Sequence, residues 1–77
     1  MKTIVIAQRG FVFVGDVEVV GDELLITNAG TLRRWGTTRG LGELRNGPLP
    51  ETVVDPQGAT KVHRLTVVAT IDCPGWT

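Results

Sequence analysis

The stretch FVFVGDVEVVGDELLIT, residues 11–27, sets the architecture of this chain, because apolar and polar residues alternate along it with a period of two. The apolar odd positions are Phe11, Phe13, Val17 and Val19, and the acidic residues Asp16 and Glu18 fall between them. This alternation is typical of a β-strand that buries one face. The even positions Val12 and Val14 are also apolar, so the first half of the strand is apolar on both faces.

A β-hairpin is predicted at the end of this strand. Taking Gly21-Asp22 as a two-residue loop gives a self-consistent register, because it places apolar residues of both strands on one face. The predicted pairs are Val20 with Glu23, Val19 with Leu24 and Val17 with Ile26.

Further strands are predicted on both sides of the hairpin. KTIVIAQ (residues 2–8) forms a strand, and Arg9-Gly10 makes the turn into the next one. TKVHRLTVVATI (residues 60–71) forms the last long strand, with His63 on its core side. DPQG (residues 55–58) fits a type I turn, which makes residues 52–54 the partner strand.

The strand pattern breaks between residues 32 and 45. Thr37 or Thr38 is a candidate cap for a short helix whose Leu41 and Leu44 lie three residues apart on one face. Asn46-Gly47 would end this helix. We therefore expect a single domain, residues 1–77, of mainly β (α+β) class: a small antiparallel sheet or partly open barrel of about five strands with one short helix.

The doubly apolar strand needs a second cover for Val12 and Val14. Either another copy of the chain or the short helix can supply it, and the sequence does not choose between them. A chain of 77 residues with one cysteine has no disulfide to stabilise a small core, which favours self-association. Val12 and Val14 are thus candidate oligomer-interface residues.

The formal net charge is zero, which argues against binding nucleic acids or membranes through bulk positive charge. No secretion signal and no stretch of about 20 apolar residues is present, so we expect a cytoplasmic protein that does not span a membrane.

Residues for catalysis are scarce. His63 is the only histidine and Cys73 the only thiol, and nothing in the sequence supplies a third group to orient such a pair. Neither metal-ligand spacing nor a phosphate loop is present. We expect no enzyme activity, no catalytic residue, no metal and no cofactor.

The charges are unevenly distributed, and NAGTLRRWGTTRGLGELRNGP (residues 28–48) holds half of the cations and one of the two tryptophans. Guanidinium groups bind phosphates bidentately, an indole stacks on a base, and glycines allow backbone amides to approach an anion. The alternative is that Trp35 fills the core and the arginines are simply solvated. The candidate ligand-binding residues are Arg33, Arg34, Trp35, Thr37, Thr38, Arg39 and Arg45, with His63 added as a possible contact at a subunit boundary.

The segment ITNAGTLRRWGTTRGLGELRNGP (residues 26–48) resembles an uncharacterised family of small proteins encoded by tailed bacteriophages and prophages. The matching pieces are Val14-Gly15, Asn28-Ala29, Arg33-Arg34-Trp35-Gly36, Leu41 with Leu44, and Val68-Ala69 to Pro74. Gly30-Thr31 and Gly40 depart from that pattern. The resemblance implies a phage protein that acts in the cytoplasm of a host bacterium.

Two kinds of function follow from these features. The first is a homo-oligomeric module that sequesters a nucleotide-type immune signal, a cyclic nucleotide or cyclic ADP-ribose derivative, without turning it over; this draws on an analogy with other phage anti-defence proteins. The second is a structural or virion accessory protein or a protein-interaction adaptor. A small DNA-binding protein is a weaker third option, and the partners expected are the chain itself and a small anionic ligand.

Overall fold

The structure is a computed structural model that describes residues 1–77. Five antiparallel strands form one open sheet in the order β4-β3-β2-β1-β5. The strands are β1 (Lys2–Ala7), β2 (Val12–Val20), β3 (Glu23–Arg34), β4 (Val53–His63) and β5 (Val67–Cys73). Three short 3-10 segments join them, Gln8–Gly10, Leu41–Asn46 and Arg64–Thr66, which we call the entry turn, the loop helix and the edge turn. The predicted mainly β class with about five strands is confirmed.

The predicted hairpin is confirmed in its register. Val20 lies opposite Glu23, Val19 opposite Leu24 and Val17 opposite Ile26. Leu24 and Ile26 are buried on one face, as the alternation requires. Val19, on the same face near the loop, stays exposed.

The predicted turn at residues 55–58 is wrong, because these residues lie within β4. Pro56 pairs with Gly30 and Gly58 with Ala29, and the register shifts on either side of the Gly58–Ala29 pair. A proline has no backbone N–H to donate to a neighbouring strand. An edge strand such as β4 has a neighbour on one side only, so it tolerates a proline. The turn residues therefore mark irregularities of an edge strand rather than its end.

The predicted strand over residues 60–71 is in fact two strands, because the edge turn interrupts it. β4 and β5 lie at opposite edges of the sheet, about 19 Å apart if the sheet were flat, at about 4.8 Å per strand spacing. The four steps from His63 to Val67 span at most about 14 Å at about 3.5 Å per residue. The sheet must therefore coil until the His63 end of β4 approaches the Val67 end of β5.

The coiled sheet has an apolar cluster on each side. The groove-side cluster contains Val5, Ala7, Phe13, Leu24, Ile26 and Ala29, with Val62 of β4 and Val67 of β5 packed against it. The helix-side cluster contains Ile4, Val12, Val14, Leu32, Leu41, Leu44, Cys73 and Trp76. The first cluster is enclosed by the coiling, and the second is covered by the loop helix and the carboxyl-terminal residues.

The interface assigned to Val12 and Val14 is not supported, because both are buried within a single chain. The sequence allowed two covers for these valines, a second copy of the chain or the short helix. In the structure the cover is the short helix, because Leu41 and Leu44 of the loop helix pack in the same cluster. Trp76 adds to this cover. No second copy is needed to shield these two valines from water.

The loop helix differs in detail from the predicted one. It is a 3-10 segment, its N-cap residue is Gly40 with φ 112°, and no side chain caps it. The expected cap at Thr37 or Thr38 is wrong in position, since both residues precede Gly40. The predicted end is confirmed, because Asn46 is the last residue of the helix and Gly47, at φ 116°, follows it.

Candidate ligand-binding surface

Arg33 and Arg34 end β3 at an irregularity of the ladder, where Leu32 pairs with Val54 and Arg34 pairs with the adjacent Val53, so that Arg33 is an extra residue. The Nε of Arg33 lies 2.7 Å from Oδ2 of Asp55 on the neighbouring strand. Because this irregularity breaks the alternation, Arg34 does not follow Leu32 onto the side of the helix-side cluster. Arg33 thus has an acidic partner, whereas Arg34 forms no salt bridge.

Trp35 follows β3 and is 42 % exposed, outside both apolar clusters. Its carbonyl accepts a hydrogen bond from the Thr52 hydroxyl at 2.7 Å. Gly36 has φ 67°, and a Cβ there would come within 2.8 Å of the backbone of Glu51 and Thr52. This close approach fixes the backbone below the indole. The alternative that Trp35 fills the core is wrong, because Trp76 does so.

The loop after Gly36 is closed by Glu43. Its Oε2 accepts a hydrogen bond from the Thr38 N–H at 3.0 Å, and its Oε1 accepts from the Thr38 hydroxyl at 2.9 Å and the Arg39 N–H at 3.1 Å. The hydrogen bonds from Thr38 are the main reason that the pKa of Glu43 lies below its usual value. These backbone amides are thus used by a side chain and are not free to cradle a phosphate.

Arg34, Arg39 and Arg45 are exposed, and none of their guanidinium groups lies within 4.0 Å of a carboxylate oxygen. Arg45 lies in the loop helix and Arg39 just before it. With Trp35 they form what we call the basic tryptophan surface. Thr37 lies beside it, partly buried.

His63 is not part of this surface. It pairs with Glu23 at one end of the ladder between β3 and β4, whereas Arg34 pairs with Val53 at the other. The His63 side chain is exposed, and its Nδ1 accepts a hydrogen bond from the Leu65 N–H at 3.2 Å, which caps the edge turn. The prediction of a core-facing histidine is wrong, because the ladder turns it to the side away from Leu24 and Val62.

Cys73 is fully buried in the helix-side cluster. Burial is the main cause that raises the pKa of its thiol. No group of three or more His, Cys, Asp or Glu side chains is placed to hold a metal ion. None of the helical segments has the length and hydrophobicity needed to cross a bilayer.

The structure also contains a groove that the sequence reasoning missed, about 350 Å³ in volume. Its lining residues are Ala7, Gln8, Arg9, Phe11, Phe13, Val62 and Thr66. The alternation at Phe11 and Phe13 was visible in the sequence, but it does not reveal that Val62 and Thr66 come to face them. None of the cavities in the chain is lined by a residue of the basic tryptophan surface, which is open to solvent.

A scan against protein-family models and a search of curated proteins both find no match for this chain.

Proposed function

We propose that this protein binds a small anionic ligand with a flat ring, of the nucleotide type, on the basic tryptophan surface and does not turn it over. One observation carries the proposal: three exposed arginines whose guanidinium groups form no salt bridge, Arg34, Arg39 and Arg45, accompany a partly exposed indole within residues 34–45. Guanidinium groups suit phosphate oxygens, and the indole offers a stacking face to a base.

The local backbone supports this use of Trp35. The hydrogen bond from Thr52 and the close approach at Gly36 hold the backbone that carries the indole, so binding does not have to order that backbone. The bonds to Glu43 hold the backbone of Arg39 in the same way. The proposal differs from the sequence prediction in leaving out Arg33, which Asp55 engages, and His63, which lies at the other end of the ladder.

The open form of the surface favours an assembly of several copies. Small-ligand sites enclose most of their ligand, and a single chain offers no concavity here. A neighbouring copy placed over Trp35 would provide the missing wall. The phage origin remains a prediction that rests on the resemblance. The sequestration of an immune signal in a bacterial host remains a prediction that rests on the analogy with phage anti-defence proteins.

The test is a thermal unfolding screen with cyclic dinucleotides, cyclic ADP-ribose isomers and ADP-ribose. A ligand present at about 100 times its dissociation constant stabilises the fold by roughly 2.7 kcal/mol, a shift of several degrees in Tm for a domain of this size. Arg34→Ala and Arg39→Ala should abolish the shift without changing the Tm of the free protein. Lys61→Ala is the matched control, because this exposed cation pairs with Leu25, far along the ladder from Arg34. The proposal fails if no compound shifts the wild type, or if Lys61→Ala lowers the shift as much as Arg34→Ala does.

A further inference from the structure

The groove lies where the coiled sheet brings distant parts of the chain together. Ala7 and Phe13 come from the adjacent strands β1 and β2, and the entry turn supplies Gln8 and Arg9. Val62 at the end of β4 and Thr66 in the edge turn complete the lining. The groove thus depends on the same approach of the sheet edges that buries the groove-side cluster.

The apolar part of the groove includes an exposed aromatic ring. Phe11 is 56 % exposed and lies parallel to the buried Phe13, with ring centroids 6.1 Å apart and planes 7° from parallel. Contact with Phe13 limits the freedom of the exposed ring. A volume of about 350 Å³ falls at the lower end of the range of about 300–1,000 Å³ found for small-molecule sites.

Arg9 is the only charged residue that lines the groove. It has no carboxylate within 4.0 Å, so its charge is not neutralised within the chain. Its φ is 65°, a left-handed conformation that is unfavourable for a residue with a long side chain. Residues in this conformation cluster at functional sites, and Arg9 is one that also lines an apolar groove.

We propose that this groove is a second binding site, specific for a small molecule that joins an apolar group to a carboxylate. The apolar group lies against Phe11, Phe13 and Val62, and the carboxylate pairs with Arg9. The Gln8 amide adds a hydrogen-bond donor at the same wall. A pocket of apolar side chains with a few polar groups that fix orientation is the usual form of a small-molecule site. This site shares no residue with the basic tryptophan surface, so either proposal can fail without the other.

The test uses two probes of nearly equal shape and opposite charge, 4-phenylbutanoate and 4-phenylbutylamine, titrated into ¹⁵N-labelled protein and followed by amide NMR. The acid should shift the signals of Phe11, Phe13 and Val62 and bind more tightly than the amine by up to about fivefold, as expected for one exposed ion pair. Arg9→Gln should remove this preference, and Phe11→Ser should weaken both probes.

Lys61→Gln is the matched control, since it removes an exposed cation that does not line the groove and should leave both affinities unchanged. The proposal is overturned if neither probe shifts the groove signals, if acid and amine bind equally well, or if Arg9→Gln keeps the preference for the acid. If Arg9→Gln alters the entry turn, Phe11→Ser still tests the groove, because the Phe11 variant leaves Arg9 unchanged.

Discussion

The carboxylate of Glu43 accepts hydrogen bonds from both the backbone N–H and the hydroxyl of Thr38, at 3.0 and 2.9 Å. A carboxylate within the loop thus occupies the place that the sequence suggested for a bound anion. Its charge also lies near Arg39, which contributes to lowering the pKa of Glu43. The loop beside Trp35 is therefore closed from within, and any ligand must bind through side chains.

Replacing Glu43 by Gln should loosen the loop without unfolding the protein. Glutamine keeps one acceptor oxygen, so it can replace only part of the three hydrogen bonds, and it removes the charge that attracts Arg39. We expect faster amide exchange at Thr38 and Arg39, measured by NMR, and an unchanged rate at Ile26 in the sheet. Unchanged exchange at Thr38 would show that these bonds do not hold the loop.

The same contacts predict a dependence on pH. The pKa of Glu43 in the folded chain lies below its ordinary value of 4.5, so its charged form is favoured by folding. This contribution is complete above about pH 4.5 and is lost as the pH falls through the folded pKa. NMR titration of the Glu43 carboxyl carbon should therefore give a midpoint below 4.5, and the amide signals of Thr38 should titrate with it. A midpoint at or above 4.5 would contradict the hydrogen bonds described.

The two tryptophans should respond differently to truncation. Trp76 is 9 % exposed in the helix-side cluster, so Trp76→Ala should cost about 3 to 5 kcal/mol and unfold much of so small a protein. Trp35 lies outside both clusters, so Trp35→Ala should cost about 1 kcal/mol or less. Chemical denaturation of both variants checks this. If Trp35→Ala lowers the free energy of unfolding more than Trp76→Ala does, Trp35 has the structural role that the sequence offered as the alternative.

Gly15 is required by close packing between β2 and β3. A Cβ at this position would come within 2.6 Å of Cγ2 of Ile26 and 2.8 Å of the Thr27 carbonyl oxygen. Gly15→Ala should therefore destabilise the fold by about 1–3 kcal/mol, as overpacked cores do. Gly42→Ala is the control, since no atom lies within 4 Å of the added methyl group, and its effect should stay within about 0.5 kcal/mol. Equal stabilities, measured by thermal unfolding, would contradict this packing.

Cys73 should be chemically inert in the native protein. Burial raises the pKa of its thiol, and the thiolate is the reactive form. Reaction with a thiol-specific chromogenic disulfide at about pH 8 should be much slower for the native chain than in concentrated guanidinium chloride. Rapid reaction of the native protein would show that the helix-side cluster opens readily.

Local features of this fold could be predicted from the sequence. The period-two alternation and the Gly21-Asp22 loop predict the hairpin in its observed register, because both the side-chain period and the loop geometry act over a few residues. The spacing of Leu41 and Leu44 likewise predicts a short helical segment with one buried face. The group of cations around Trp35 could be recognised in the sequence only as a local excess of arginines.

Other features were decided only by the tertiary structure, because they depend on which residues far apart in the chain come into contact. Residues 55–58 read as a turn, yet pairing with β3 keeps them in an edge strand. Trp35 and Trp76 are the same residue type, and only the packing of the loop helix and the chain end places one at the surface and the other in the core. The groove beside Arg9 exists because the edge turn is too short to cross a flat sheet, so β4 and β5 must curl toward each other. Local patterns specify strands and turns, whereas burial and sites arise from contacts between residues far apart in the chain, which no short stretch contains.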